Sequence, residues 1–314
     1  MACSTAELHD AVRNGSVEDV EDFIARNPWI LEVNESKIPS YSHFHTAEMR
    51  GDPRVIEALI RFGRRCIDAF DSNKKTPLHV AAMCGYATVI EALLRSGSKT
   101  IDTPDMDRRT PIFYAASSGH VSAVETLVRL GSRAIDTPDR HDRFPITQAV
   151  ENGDIPMIHT LVRLGSQVAY THKTGCNLLC MATREGHSST IEALFCLGIN
   201  TVDISNNEGW TLMHEAVSFG HTSVIETLVR LGSNALDTLS CGGSSPLDLA
   251  VRFGNTEASR TLIALGCNTT GDHAVVDEEH RQEVRYRVYF SRSLISRLLF
   301  ELSIDNTASN KREI

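Results

Sequence analysis

The sequence predicts an all-α repeat solenoid of about eight stacked helix-turn-helix units, joined by hairpin loops and closed by a C-terminal capping helix. One recurring phrase and two glycine series predict it. The phrase Val89-Ile90-Glu91-Ala92-Leu93-Leu94-Arg95-Ser96-Gly97 returns as Val224-Ile225-Glu226-Thr227-Leu228-Val229-Arg230-Leu231-Gly232. Its closing glycine falls at Gly63, Gly97, Gly131, Gly165, Gly198, Gly232 and Gly266, in steps of 33 or 34 residues. Self-similarity at such a period marks a repeat architecture. A second series, Gly15, Gly51, Gly85, Gly119, Gly153, Gly186, Gly220 and Gly254, keeps step with the first, so each unit carries two helix stops.

Within a unit, a capping side chain stands nine residues before the second-series glycine in most copies: Ser42, Thr76, Thr110, Asn177, Thr211 and Ser245. Such residues accept hydrogen bonds from the free N–H groups of a helix start. Proline follows at Pro77, Pro111, Pro145 and Pro246, where its fixed torsion suits the first helical turn. Four residues before each glycine lies an alanine, from Ala11 through Ala47, Ala81, Ala115, Ala149, Ala182 and Ala216 to Ala250, small enough to let two helices approach. The first helix therefore spans about eight residues and ends on a left-handed turn. The second helix carries apolar residues at helical spacing, as in Val89, Ile90, Leu93 and Leu94. What remains, such as Ser98 to Asp105 and Ser132 to Asp139, ends in Ile-Asp-Thr-Pro-Asp and reads as a projecting hairpin before the next cap.

Thr76-Pro77-Leu78-His79-Val80-Ala81 resembles the Thr-Pro-Leu-His-x-Ala signature of ankyrin repeats. Units then start near Ala6, Ser42, Thr76, Thr110, Phe144, Asn177, Thr211 and Ser245, and the resemblance covers roughly residues 5 to 270. Tetratricopeptide arrays share the period but lack the capped Thr-Pro start and the long turn-rich connection. The resemblance implies that the motif histidine bonds to neighbouring backbone and stitches repeats together. His9, His45, His79 and His214 fill that position, while Phe113, Thr147, Cys180 and Asp248 replace it elsewhere and Phe144 replaces a cap. The units around residues 140 to 185 are therefore expected to be the least regular and least stable, since repeat stability is a sum over neighbours.

The ends look adapted to close a stack. Residues 1–40 form an expected N-terminal capping repeat, made acidic by Glu18, Asp19, Glu21 and Asp22 and followed by a long connection from Asn27 to Tyr41. Residues 41–270 form the ankyrin array, and 271–314 a C-terminal helical cap or tail. In that tail Val284, Val288, Ile295, Leu298, Leu299 and Leu302 fall along one helical stripe, which suits a cap; an amphipathic helix for a membrane or partner is the alternative.

With 41% apolar content and a net charge of -9, the chain has the means for a core and lacks the basic face that nucleic acid demands. The expected partner is another protein, bound by a monomer. The first residues show neither the basic stretch nor the apolar run of a secretory leader, and no run of about eighteen apolar residues suggests a membrane span. Eight scattered cysteines suit a reducing cytoplasm. His172, Cys176, Cys180 and His187 lie close in sequence, but their places in the repeat oppose convergence on one tetrahedral metal. His120, His187 and His221 each follow a helix-stop glycine and resemble the family's structural Gly-His. No phosphate loop or paired carboxylates stand out, so neither enzyme activity nor a cofactor is expected.

In ankyrin proteins the partner surface is usually the concave side, built from hairpin tips and first-helix ends. The resemblance places Asn73, Lys75, Arg109, Arg140, Arg143, Lys173 and Trp210 at tips, and Met83, Arg184, Phe219 and Phe253 at helix ends. Basic middle tips and late aromatics suggest a bipartite site for an acidic segment and an apolar one. Trp210, beside Gly209, also suits covering its own hairpin. The implied function is an interaction scaffold or adaptor. The close copying of the units also resembles arrays of host-associated bacteria, so the alternative is a secreted effector in host cytoplasm, whose tail from Asp272 recruits a membrane or complex.

Overall fold

The computed structural model describes residues 2–27, 46–47, 52–62, 67–168, 172–199 and 201–268. The expected cap or tail after residue 270, most of the Asn27 to Tyr41 connection, and the cap Ser42 lie outside the described residues. Two compact units divide the chain, Met1–Val168 and Ala169–Ile314.

Unit 1 holds α1 (Ala2–Asn14), α2 (Val17–Arg26), α3 (Pro53–Phe62), α4 (Pro77–Met83), α5 (Ala87–Arg95), α6 (Pro111–Ser117), α7 (Val121–Arg129), α8 (Pro145–Glu151) and α9 (Ile155–Arg163). Unit 2 holds α10 (His172–Arg184), α11 (Ser188–Cys196), α12 (Leu212–Phe219), α13 (Thr222–Arg230), α14 (Pro246–Arg252) and α15 (Thr256–Leu265). Short first helices stack as α4, α6, α8 in unit 1 and as α10, α12, α14 in unit 2; within each unit the second helices form a row behind them. Among the described residues there is no strand, only one isolated bridge between Ser205 and Thr211. This is an ankyrin-type helical solenoid in each unit.

The alanine position does what its size permits. Ala81, Ala115, Ala149, Ala182, Ala216 and Ala250 are fully buried. Beside them the second helices bury Val89, Ile90 and Leu93 in α5 and Val224, Ile225 and Leu228 in α13. At the helix stop Gly85 has φ +77°, and a Cβ there would sit 2.6 Å from the His120 ring. Both left-handed backbone and a close neighbour require glycine at that point.

Repeats are joined by one recurring bond set. Asp68 accepts from the Ser98 hydroxyl at 2.6 Å and the Lys99 N–H at 3.2 Å. Asp102 accepts likewise from Ser132 at 2.6 Å and Arg133 at 3.0 Å, and Asp136 from Ser166 at 2.5 Å and Gln167 at 2.8 Å. In unit 2, Asp203 accepts from Ser233 at 2.5 Å and Asn234 at 3.0 Å. Asp237, with Cys267 where serine stood, takes both donors from Asn268. The ladder's two positions are also occupied by Tyr170 and Ile199, so carboxylate and hydroxyl are replaced together. Ion pairs between second helices, such as Arg61 with Glu21 at 2.9 Å, lie at the surface and contribute under about 1 kcal/mol each.

The motif histidine stitches as the resemblance implied. The Thr76 N–H donates to His79 Nδ1 at 3.0 Å, and Nε2 donates to the Arg109 carbonyl at 3.2 Å. His214 repeats this with Thr211 and the Ser244 carbonyl. His9 instead bonds the Thr46 hydroxyl at 3.1 Å, and His45 lies outside the described residues. Thr147 and Asp248 keep the inner half of the task, accepting from the N–H of Phe144 and Ser245, each at 2.8 Å. The caps differ from expectation in chemistry. At Thr76 and Thr211 the hydroxyl pairs with the histidine ring, and Thr110 Oγ1 has no partner; only Ser245 caps a backbone N–H as expected.

Asn177 is not a cap. It lies inside α10, thirteen residues long where about eight were expected, and His172, assigned to a hairpin, starts that helix. Leu178 stands where four other units have proline, so the bias against helical backbone before proline is absent. Thr211 also precedes a leucine, yet α12 starts on time because Asn206 and Gly209 hold a turn before it.

Replacing Asp102 with alanine deletes a hydroxyl bond and a backbone bond to one charged group and should lower unfolding free energy by about 2 kcal/mol in urea titration. His79 yields a second expectation. Burial, more than any neighbour, holds it down to about 4, so the folded chain keeps it neutral while the unfolded chain protonates it near 6.5. The unfolded state then binds more protons between those values. The group's contribution is complete above pH 6.5 and falls by about 3 kcal/mol as pH drops towards 4. Urea midpoints at pH 7, 5.5 and 4.5 should decline more steeply in the wild type than in His79→Gln.

Candidate functional site

The tips of unit 1 are built around aspartates. Asp105 accepts the N–H groups of Asp107 at 2.8 Å and Arg109 at 2.9 Å, closing a tight turn with Arg108 at φ +61°. Asp139 does the same for His141 and Arg143. Adjacent tips are linked by backbone: Met106 N–H donates to the Asn73 carbonyl at 3.0 Å, and Arg140 N–H to Asp107 at 2.9 Å.

Those turns consume most of the predicted basic residues. Arg143 grips the fully buried Asp139 carboxylate through Nε and Nη2, at 3.1 and 2.8 Å, and Arg109 Nε approaches it at 3.5 Å. Burial would raise the Asp139 pKa, but the guanidinium of Arg143 and the N–H donors of Arg143 and His141 outweigh it and hold the carboxyl below its usual range. Arg109 also lies over the rings of Phe113 and Tyr114, and Lys75 sits 4.6 Å above Tyr114. The Tyr114 hydroxyl donates to Asp105 at 2.7 Å; burial and that carboxylate push its pKa up. Arg140 pairs with Asp107 at 2.9 Å on the exposed rim, and half-buried Met83 ends α4.

In unit 2 the structure gathers four predicted residues. Arg184, Trp210, Phe219 and Phe253 line one cleft of about 500 Å³, with Asn206, Glu208, Glu215 and Ser218. Arg184 and Phe219 end their helices and Phe253 caps α14, as the repeat register indicated. Phe219 and Phe253 are 55% and 52% exposed, far from the usual burial of phenylalanine. The Phe219 ring stacks on His221 at 6.0 Å, and His221 Nε2 meets the Arg184 carbonyl at 2.8 Å. The Trp210 backbone N–H donates to Asn206 Oδ1 in the turn, while its ring leans against His214 at 6.1 Å between centroids and lines the cleft. Arg184 Nη2 meets Glu215 Oε1 at 2.9 Å. Lys173 lies in the first turn of α10, not at a loop tip.

Sequence reasoning missed Glu215 and Asp139. Glu215 had a signal: it occupies the position of Val80, Tyr114, Gln148, Met181 and Leu249, and outside the first unit, where Asp10 stands, no other repeat has a charge there. Asp139 had none, because identical turn aspartates at Asp71 and Asp105 recruit no arginine pair of this kind. Among the described residues no group of three or more His, Cys, Asp or Glu is placed to hold a metal ion, and no helix is long and apolar enough to cross a membrane.

A family model of ankyrin repeats in three copies matches residues 8–105 and 179–272, and a single-repeat model matches 107–140. Residues 141–178 lie between these segments and include the lost cap Asn177 and the broken ladder position Tyr170. The fold is similar to the human ASB11 ankyrin repeat domain, at 22% identity and TM-score 0.55, covering 84% of this chain and 99% of that one. The ankyrin repeat domain of Bcl-3, described as a unique member of the IkappaB protein family, aligns at 22% identity and TM-score 0.45 over 77% and 92%. No curated protein matches the sequence significantly.

Asp139→Asn would leave two part-buried arginines without their carboxylate and should cost about 2 kcal/mol of folding stability, whereas Arg140→Ala at the rim should cost under about 0.5 kcal/mol. Guanidinium denaturation of both variants measures the difference.

Proposed function

Because this chain belongs to the ankyrin-repeat family, whose repeats are generic protein-interaction modules, we propose that it is a non-catalytic scaffold or adaptor that docks a partner protein in the cleft of unit 2. The observation that carries this reading is the convergence of Trp210, Phe219 and Phe253 on one groove, two of them more than half exposed. An exposed phenylalanine costs solvation that packing in its own chain would recover, and aromatic and arginine side chains dominate interface energetics. The unit 1 arginines are a weaker docking surface. Arg109 and Arg143 already neutralise Asp139, and an acidic partner would have to compete with that pair. The reading goes with a monomer working in the cytoplasm, where scattered cysteines remain reduced. The alternative of a recruiting effector tail concerns residues outside those described.

Phe219→Ala combined with Phe253→Ala should weaken partner binding by about 2 kcal/mol while leaving the melting temperature nearly unchanged, since neither side chain is in the core. Pull-down from cell extract with wild type and double variant identifies the proteins lost, and calorimetry with each measures the loss. Equal affinity for every captured protein overturns the assignment of the cleft.

A further inference from the structure

Glu215 is the cleft's unexplained group. Only 6% exposed, it sits in the first turn of α12. Its Oε1 is bonded to Arg184, but Oε2 is sealed from solvent and receives no hydrogen bond. A buried carboxylate oxygen without a donor carries a desolvation cost that nothing in its own chain offsets. Packing does not require the charge, since valine, tyrosine, glutamine, methionine and leucine fill the same position in other repeats.

The surroundings say what would meet it. Glu208 adds a second carboxylate to the lining, against the single cation of Arg184, so the cleft is net negative. Trp210, Phe219 and Phe253 add aromatic surface, which favours a cation and the methylenes that carry it. An acidic side chain would face two carboxylates, and its one possible partner, Arg184, is already engaged.

We propose that this cleft recognises a basic side chain, arginine or lysine, on an extended segment of the partner protein. The Glu215 side chain turns its unserved oxygen towards the incoming N–H groups, which give it the donor it lacks in a charge-assisted bond, while the aliphatic stem lies against the aromatic wall. This rests on the docking role of the same cleft and names what it selects.

The test uses the full chain and a phage-displayed library of random dodecapeptides. Peptides are first sorted by whether Phe219→Ala with Phe253→Ala abolishes their binding. The expected result is that cleft-dependent peptides share one arginine or lysine. Replacing that residue in the peptide by norleucine should lower affinity at least about tenfold, as should Glu215→Gln with its fold confirmed by circular dichroism. The norleucine arm does not depend on how Glu215→Gln folds. Cleft-dependent peptides without a common basic residue, or indifferent to norleucine, overturn the proposal and leave the docking role standing. If no selected peptide depends on the two phenylalanines, both fall.

Discussion

Each aspartate that follows an apolar residue at the start of a connection reaches forward one repeat, and the stack in each unit depends on that reach. At Asp68, Asp102, Asp136 and Asp203 the carboxylate takes a hydroxyl and a backbone N–H from residues 30 and 31 positions on, as Asp102 does from Ser132 and Arg133, while Asp237 takes both donors from Asn268. These N–H groups lie beyond the helix stop, outside the intrahelical bonding, and need an acceptor from elsewhere. The carboxylate therefore meets a backbone need and fixes the spacing of neighbours in one contact. Because every such bond joins only adjacent repeats, cohesion in each unit is a chain of near-equal local links.

The motif histidine adds a second local link with a condition attached. Neutral, His79 can accept at Nδ1 and donate at Nε2; protonated, it loses the acceptor that holds the Thr76 N–H. Thr147 and Asp248 accept that same inner bond from the helix start. The substitution thus preserves the helix start. The tips add a third local link: Arg140 N–H reaches the Asp107 carbonyl, and two arginines close on Asp139.

Much of this was legible in the residues. Periodic glycines, buried alanines and the Thr-Pro starts placed helices where the structure has them, because each reports a purely local backbone requirement. What failed was the start of α10, where Asn177 resembles a cap and no proline enforces one; local chemistry there permits two answers, and the structure takes the longer helix. The caps at Thr76 and Thr211 also misled, since a hydroxyl three residues before a histidine has a better acceptor in the ring than a backbone N–H to serve. The arginines of the unit 1 tips were legible as basic loop residues, but the burial of Asp139 that claims them was not. Pairing across neighbouring loops depends on how the repeats stack, and no single turn records that.

The register singled out Arg184, Trp210, Phe219 and Phe253, which the fold gathers in one cleft of unit 2, and the reason lies in how a repeat constrains its positions. A repeat imposes the same environment at the same position, so a residue that departs from its equivalents answers to something other than the stack. Phe253 stands at the helix end where Cys84 and Ser118 stand in unit 1, and Glu215 stands where Val80, Met181 and Leu249 stand in other repeats. Neither change improves packing: one exposes a large ring, and the other buries a carboxylate with one oxygen unserved. Departures from local consistency persist where function repays them. Two independent departures facing the same groove, one apolar and one charged, are hard to account for by folding alone and follow directly if that groove holds another chain.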